Sequence, residues 1–218
     1  MAANRSTTPD RRTRIEEMRR AEQSRERRNR LITLGVSGIV VLGLVGFGTY
    51  VLTQRPDKDG PIAGEKSWDP KKLGRTHVET PVKYEMTPPV GGDHSQIWAN
   101  CDGDVYKKPL AQVNAVHSLE HGAVWVTYNK KASPDDVKKL EDKVGKTKYT
   151  LISPLDEQAG ALMLSAWGKQ VTVDSAADPR VDAFFTKYVQ GPQTPEPGAA
   201  CTGGIGADGA GGGAGMGQ

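Results

Sequence analysis

The chain carries four histidines, His77, His94, His117 and His121, and all of them fall within one stretch of 45 residues. The tightest unit is His117-Ser118-Leu119-Glu120-His121. Imidazoles at i and i+4 project from one face of a helical turn and can share one metal ion. Gly122 follows at once, as suits the first residue past a helix end, so a short helix delivering both rings is expected here. His94 closes the turn-rich run Pro88-Pro89-Val90-Gly91-Gly92-Asp93, which can carry a third imidazole over the pair. His77, Met86, Met163, Cys101 and Glu120 are further side chains able to complete a coordination shell. Neutral imidazole suits zinc, copper and iron, whereas thioether or thiolate donors bias a site towards copper(I). The expected centre is therefore a copper or zinc ion on His117 and His121, with His94 as third ligand and His77 and Met163 beside them.

Two other readings compete for the same residues. In the bland one the histidines only hydrogen-bond within a loop-rich domain, with His77 at the edge of a linker. In the enzymatic one, His117 to His121 match the H-x-x-E-H pattern of inverted zinc peptidases, with Glu120 as general base. That pattern is five residues long, and its missing acidic ligand would have to be chosen among Glu141, Glu157 and Glu196. Ser118 beside His117 makes no catalytic pair, because adjacency in sequence is not hydrogen-bond geometry. The chain contains no P-loop, no G-x-G-x-x-G after a strand and no G-x-S-x-G elbow. No catalytic residue is assigned.

The elements that position these side chains occupy only part of the 218 residues. Hydrophobic residues make up 36%, and 26 glycines with 14 prolines imply long stretches outside any core. The net charge of +3 is uneven, with ten arginines against five acids in the first 30 residues, leaving a slightly acidic body. That balance argues against a nucleic-acid partner.

Residues 31–53, LITLGVSGIVVLGLVGFGTYVLT, carry no charge. At 1.5 Å per residue such a helix is about 35 Å long, enough for a hydrocarbon core of about 30 Å. Arg25, Arg27, Arg28 and Arg30 precede it, whereas Arg55 alone follows, with Asp57 and Asp59 behind. The excess of positive charge keeps residues 1–30 in the cytoplasm and exports the rest. The expected organisation is an Arg-rich cytoplasmic tail 1–30, a transmembrane helix 31–53, a linker 54–75, an extracytoplasmic domain 76–201 and a disordered Gly-rich tail 202–218. The lipid bilayer is then one partner, and a cell-envelope protein is the other that the location allows.

Within the domain, residues 123–128 are β-branched and aromatic, as suits a strand. Ser133-Pro134 and Asp178-Pro179 each combine an N-cap residue with proline at the first helical position, so helices are expected after both. Residues 149–152 and 161–167 read as strands, with 171–173 a further short one. The order β-α-β-β-α suggests an α+β sandwich with helices on one face of a largely antiparallel sheet, for which a ferredoxin-like topology fits. Cys101 and Cys201, an even count in an oxidising compartment, are expected to form a disulfide closing a loop of 100 residues. The alternative makes Cys101 a thiolate ligand with His117 and His121.

Pro88 to His94, Val116 to Val124 running into Tyr128, Ser165-Ala166-Trp167-Gly168 and Pro195 to Thr202 resemble the motifs of a bacterial family, domain of unknown function 3105. The resemblance covers roughly residues 76–204, and Ser118-Leu119-Glu120-His121-Gly122 is its most specific block. It implies one N-terminal membrane helix ahead of the domain, and no established activity. The tract Asn100 to Tyr106 is longer than the compact Cys-Gly-x-Tyr form of that family, which leaves the role of Cys101 open. Three functions follow in rank: a membrane-anchored extracytoplasmic metal-binding protein for copper handling or delivery, an envelope structural or assembly subunit without metal, and a zinc metallohydrolase.

Overall fold

The computed structural model describes residues 60–208 and, ahead of them, Arg19, Arg20, Glu22, Arg25, Arg30 and Thr33, each in helical conformation. The chain divides into two units, Met1–Arg55 and Pro56–Gln218. The rest of the expected cytoplasmic tail and membrane helix, the start of the linker and residues 209–218 lie outside the described residues. Among the described residues no helix is long and apolar enough to cross a membrane.

From residue 60 onward the second unit is a mixed α+β domain. Its strands are β1 (Lys66–Ser67), β2 (Asp102–Val105), β3 (Val124–Tyr128), β4 (Thr150–Pro154), β5 (Leu162–Ala166) and β6 (Lys169–Val173). Its α-helices are α1 (Gln112–Glu120), α2 (Pro134–Val144) and α3 (Pro179–Tyr188). The sheet runs β1-β6-β5-β3-β4-β2, with β4 parallel to both β3 and β2 and the other pairs antiparallel. Both proline-led helices start as their caps require. The Ser133 hydroxyl accepts from Asp136 N, and the Asp178 carboxylate accepts from Arg180 N.

The helices do not share one face, contrary to expectation. Val124, Val126, Ile152 and Leu164 pack with Leu140 and Val144 of α2 and Val181 and Phe184 of α3. The alternate strand residues Trp125 and Leu151 pack with Ala115, Val116 and Leu119 of α1. Side chains alternate across a strand, so central strands buried at nearly every position must be covered on both sides. The sheet is also mixed rather than largely antiparallel. The ferredoxin-like order does not occur, because that fold splits its βαβ unit whereas β3 and β4 pair directly from Val124↔Thr150 to Tyr128↔Pro154.

Two stretches expected to be loose are docked in their described parts. Within residues 60–75, Ile62 is buried in the core, Lys66 and Ser67 pair with β6, and the Tyr188 hydroxyl donates to Glu65 Oε2 at 2.7 Å. At the other end, Asn100 N donates to Ile205 O at 2.9 Å and Ile205 N to Trp98 O at 2.9 Å. Composition misled in both places, since a few backbone hydrogen bonds to a formed sheet edge or loop hold a segment that has little apolar surface of its own.

Candidate metal centre

Helix α1 is buried from Asn114 to Glu120 although four of those seven residues are polar. Burial is tolerated because each polar group finds a partner around the helix, a loop carbonyl for Asn114, His117 and Ser118 and the Arg75 and His94 side chains for Glu120. Asn114 Nδ2 donates to Ile97 O at 2.6 Å and the Ser118 hydroxyl to Ala99 O at 2.6 Å. His117 Nδ1 donates to Ser95 O at 2.7 Å, and His121 Nδ1 to Ala200 O at 2.7 Å. A carbonyl only accepts, so both Nδ1 atoms carry the proton and both Nε2 atoms keep the lone pair that a metal needs.

The third ring comes from the glycine loop. Gly91 and Gly92 have φ of 153° and 123°, and a Cβ on Gly91 would stand 3.2 Å from the Trp167 indole, so the chain passes there only without a side chain. His94 follows with no exposed surface, its Nδ1 bonded to Gly92 O at 2.7 Å and its Nε2 to Glu120 Oε2 at 2.9 Å. Val78 N donates to His94 O and His94 N to Thr76 O, which lays His77 alongside. The ring centroids of His77, His94 and His117 are 4.8 to 5.0 Å apart.

The structure thus brings together His77, His94, His117 and Glu120, whose ligand atoms all lie within 4.8 Å of one another. Two ligands stand about 4.2 Å apart on opposite sides of one ion and about 3.4 Å apart on a tetrahedral one, so the widest pair needs to close by about 0.6 to 1.4 Å. His121 is next to this group, its ring 4.5 Å from that of His117, but it lies outside the group and faces Glu196 at 4.0 Å. Trp98 packs against the His117 and His121 rings at 5.6 and 5.2 Å. Met163 is buried in β5 between Thr127 and Thr172, four residues and about 13 Å of strand before Trp167, the indole that meets His94. Cys101 and Cys201 are joined by a disulfide, with S–S at 1.95 Å, so the thiolate alternative for Cys101 falls away.

Burial pushes His117 down to about 4, helped by the neighbouring His121, His94 and His77. Burial also lowers His121. Burial opposes protonation of His94 as well, but the hydrogen bonds to the Glu120 carboxylate and the Gly92 carbonyl, with the charges of Glu120 and Asp93, together outweigh this and raise it. Burial alone would raise Glu120; the bonds from His94 and Arg75 prevail and hold it near 2. A general base works best with a pKa near the operating pH, so this carboxylate suits ligation better than the base role of the peptidase reading.

Arg75 was missed by sequence reasoning, yet its Nε donates to Glu120 Oε1 at 2.7 Å and its Nη2 stands 3.5 Å from Glu196 Oε1. The available signal was its i, i+2 spacing from His77, which in extended chain puts both side chains on one side. Trp98 gave no such signal, and Glu196 had been considered only as a peptidase ligand.

No curated protein and no solved structure matches the chain. The cluster instead falls inside a stretch shared with other sequences: a family model described as a protein of unknown function (DUF3105) matches residues 77–203, from the first clustered histidine past Cys201, and the chain belongs to that family.

Proposed function

We propose that this protein is a membrane-anchored, extracytoplasmic metal-binding protein that holds a divalent transition-metal ion, copper(II) or zinc, on His77, His94, His117 and Glu120. The observation that carries this is the convergence of three imidazoles and one carboxylate within 4.8 Å on three separate segments. The donors are nitrogen and oxygen, with both cysteines spent in a disulfide, which disfavours copper(I) relative to copper(II) or zinc. Tied Nδ1 atoms pre-orient His94 and His117, so little ordering cost remains when an ion binds. The charge-free run 31–53 and its arginine flank support the anchor and its orientation, and the disulfide fits an oxidising compartment. Copper handling or delivery is the role such a tethered site would serve.

The test is metal analysis of the full chain prepared without a histidine tag and loaded with copper(II) or zinc. One tightly held ion, lost in His94→Ala and His117→Ala, is the expected result. Absence of stoichiometric metal under both loadings sinks the reading. Protease accessibility of residues beyond 54 in intact cells tests the topology separately.

A second reading has its own observation. Glu120 is already partnered by Arg75 at 2.7 Å and His94 at 2.9 Å, so the network is satisfied without an ion. An envelope subunit in which these residues only brace α1 against the loops would show no metal and keep its fold.

A further inference from the structure

We infer that His121 and Glu196 form a second cation position beside the first, through which ions exchange with solvent; this rests on the metal reading above. Spacing alone assigns His117 and His121 to one ion, but the fold gives them different partners. The His117 nitrogen joins His77, His94 and Glu120, whereas His121 Nε2 faces Glu196 Oε2 at 4.0 Å. Two ligands of a tetrahedral ion stand about 3.4 Å apart, so the half-exposed Glu196 side chain needs to move in by about 0.6 Å. His121 is prepared as His117 is, with Nδ1 donating to the Ala200 carbonyl so that Nε2 carries the lone pair.

Arg75 organises both positions at once. It meets Oε1 of Glu120 and Oε1 of Glu196, which leaves Oε2 of each carboxylate turned towards histidines. The backbone adds a tether, since Glu196 N donates to Glu120 O at 3.0 Å. The two carboxylates differ in exposure, 2% for the Glu120 side chain against 46% for that of Glu196, while His77 gives the first position its own exposed edge at 44%. Two protein ligands completed by water hold a divalent ion weakly, whereas three imidazoles and a carboxylate hold it tightly. With the His117 and His121 rings 4.5 Å apart, an ion can change ligands stepwise between the two instead of leaving its whole shell at once.

The experiment uses the full chain in detergent, without a histidine tag, stripped by chelator and titrated with zinc(II) by equilibrium dialysis. Loading rates are followed by competition with a chromophoric chelator. Wild type is expected to bind in two steps, the second at least tenfold weaker. His121→Ala and Glu196→Gln should each remove the second step, leave the first dissociation constant within threefold, and slow loading at least fivefold. Glu196→Gln changes only the charge of a half-exposed side chain, so it keeps the test valid should His121→Ala unfold. Loss of the first step in folded His121→Ala means one shared ion and overturns the proposal. A single step in wild type, a second step that survives both substitutions, or unchanged loading rates do so too. A wild type that binds no zinc or copper sinks the metal reading itself, a result distinct from all of these.

Discussion

His94 and Glu120, 26 residues apart in the chain, meet at 2.9 Å between Nε2 and Oε2, with side-chain exposures of 0% and 2%. His94 Nδ1 already faces the Gly92 carbonyl, so a proton on Nε2 makes the ring an imidazolium beside a carboxylate. A metal ion entering between the two atoms replaces that proton, and binding releases it.

Glu120→Gln therefore acts twice. It removes the anionic ligand, and it takes the charged partner from His94 and Arg75 in a buried setting. Removing one member of such a charged hydrogen bond costs about 2 to 3 kcal/mol. Urea unfolding is expected to show a loss of that size in metal-free protein, and dialysis a loss of stoichiometric ion.

Acid should weaken the metal-free fold in two windows. His117 is depressed from 6.5 to about 4, so the unfolded chain takes up a proton that the folded one refuses. Its contribution is complete above 6.5 and is lost as pH falls towards 4, about 3 kcal/mol in all. Glu120, depressed from 4.5 to about 2, adds a further loss as pH falls through that lower range. His94 is raised, so its contribution has the opposite sign, present below 6.5 and lost as pH rises through its folded value. Urea midpoints at pH 7.0, 5.5 and 4.0 should decline steadily; a flat profile contradicts the burial of neutral His117.

The disulfide closes a loop of 100 residues, for which chain entropy gives a stabilisation of about 4 to 5 kcal/mol. Replacing both cysteines by serine should lower unfolding free energy by that order. Ala200, which accepts from His121 Nδ1, is next to Cys201, so the same variant should also disturb His121. Its ring signals in an NMR spectrum are expected to shift more than those of His94.

Gly122 has φ of 91°, and a Cβ there would meet the Gln190 amide and Thr194. Gly122→Ala combines left-handed strain with that collision and should cost about 2 kcal/mol or more. Because Gln190 bonds to both His121 O and Gly122 O, the substitution should displace the following segment and Glu196 with it. Reduced zinc loading with the first site intact is the expected readout.

The local signals were enough for much of this protein. Proline-led caps at Ser133 and Asp178 specified α2 and α3, β-branched residues specified β3, β4 and β6, and a short apolar run specified β5, because caps and strand propensity act between near neighbours. The histidine clustering and the cysteine pair were equally legible, the first from residue types within 45 positions and the second from an even count. Only the tertiary structure decided which groups meet. The i, i+4 rule brings His117 and His121 side by side, but each ring turns to the carbonyl nearest its Nδ1, Ser95 for one and Ala200 for the other. Those carbonyls come from segments whose positions depend on the His77–His94 backbone pairing and on the disulfide. Arg75, Trp98 and Glu196 join the site the same way, through contacts as far apart in the chain as Arg75 and Glu196, which no local pattern encodes. Covering both sheet faces was likewise a global outcome, since alternation in β3 shows that each face is apolar but not which helix lies on it.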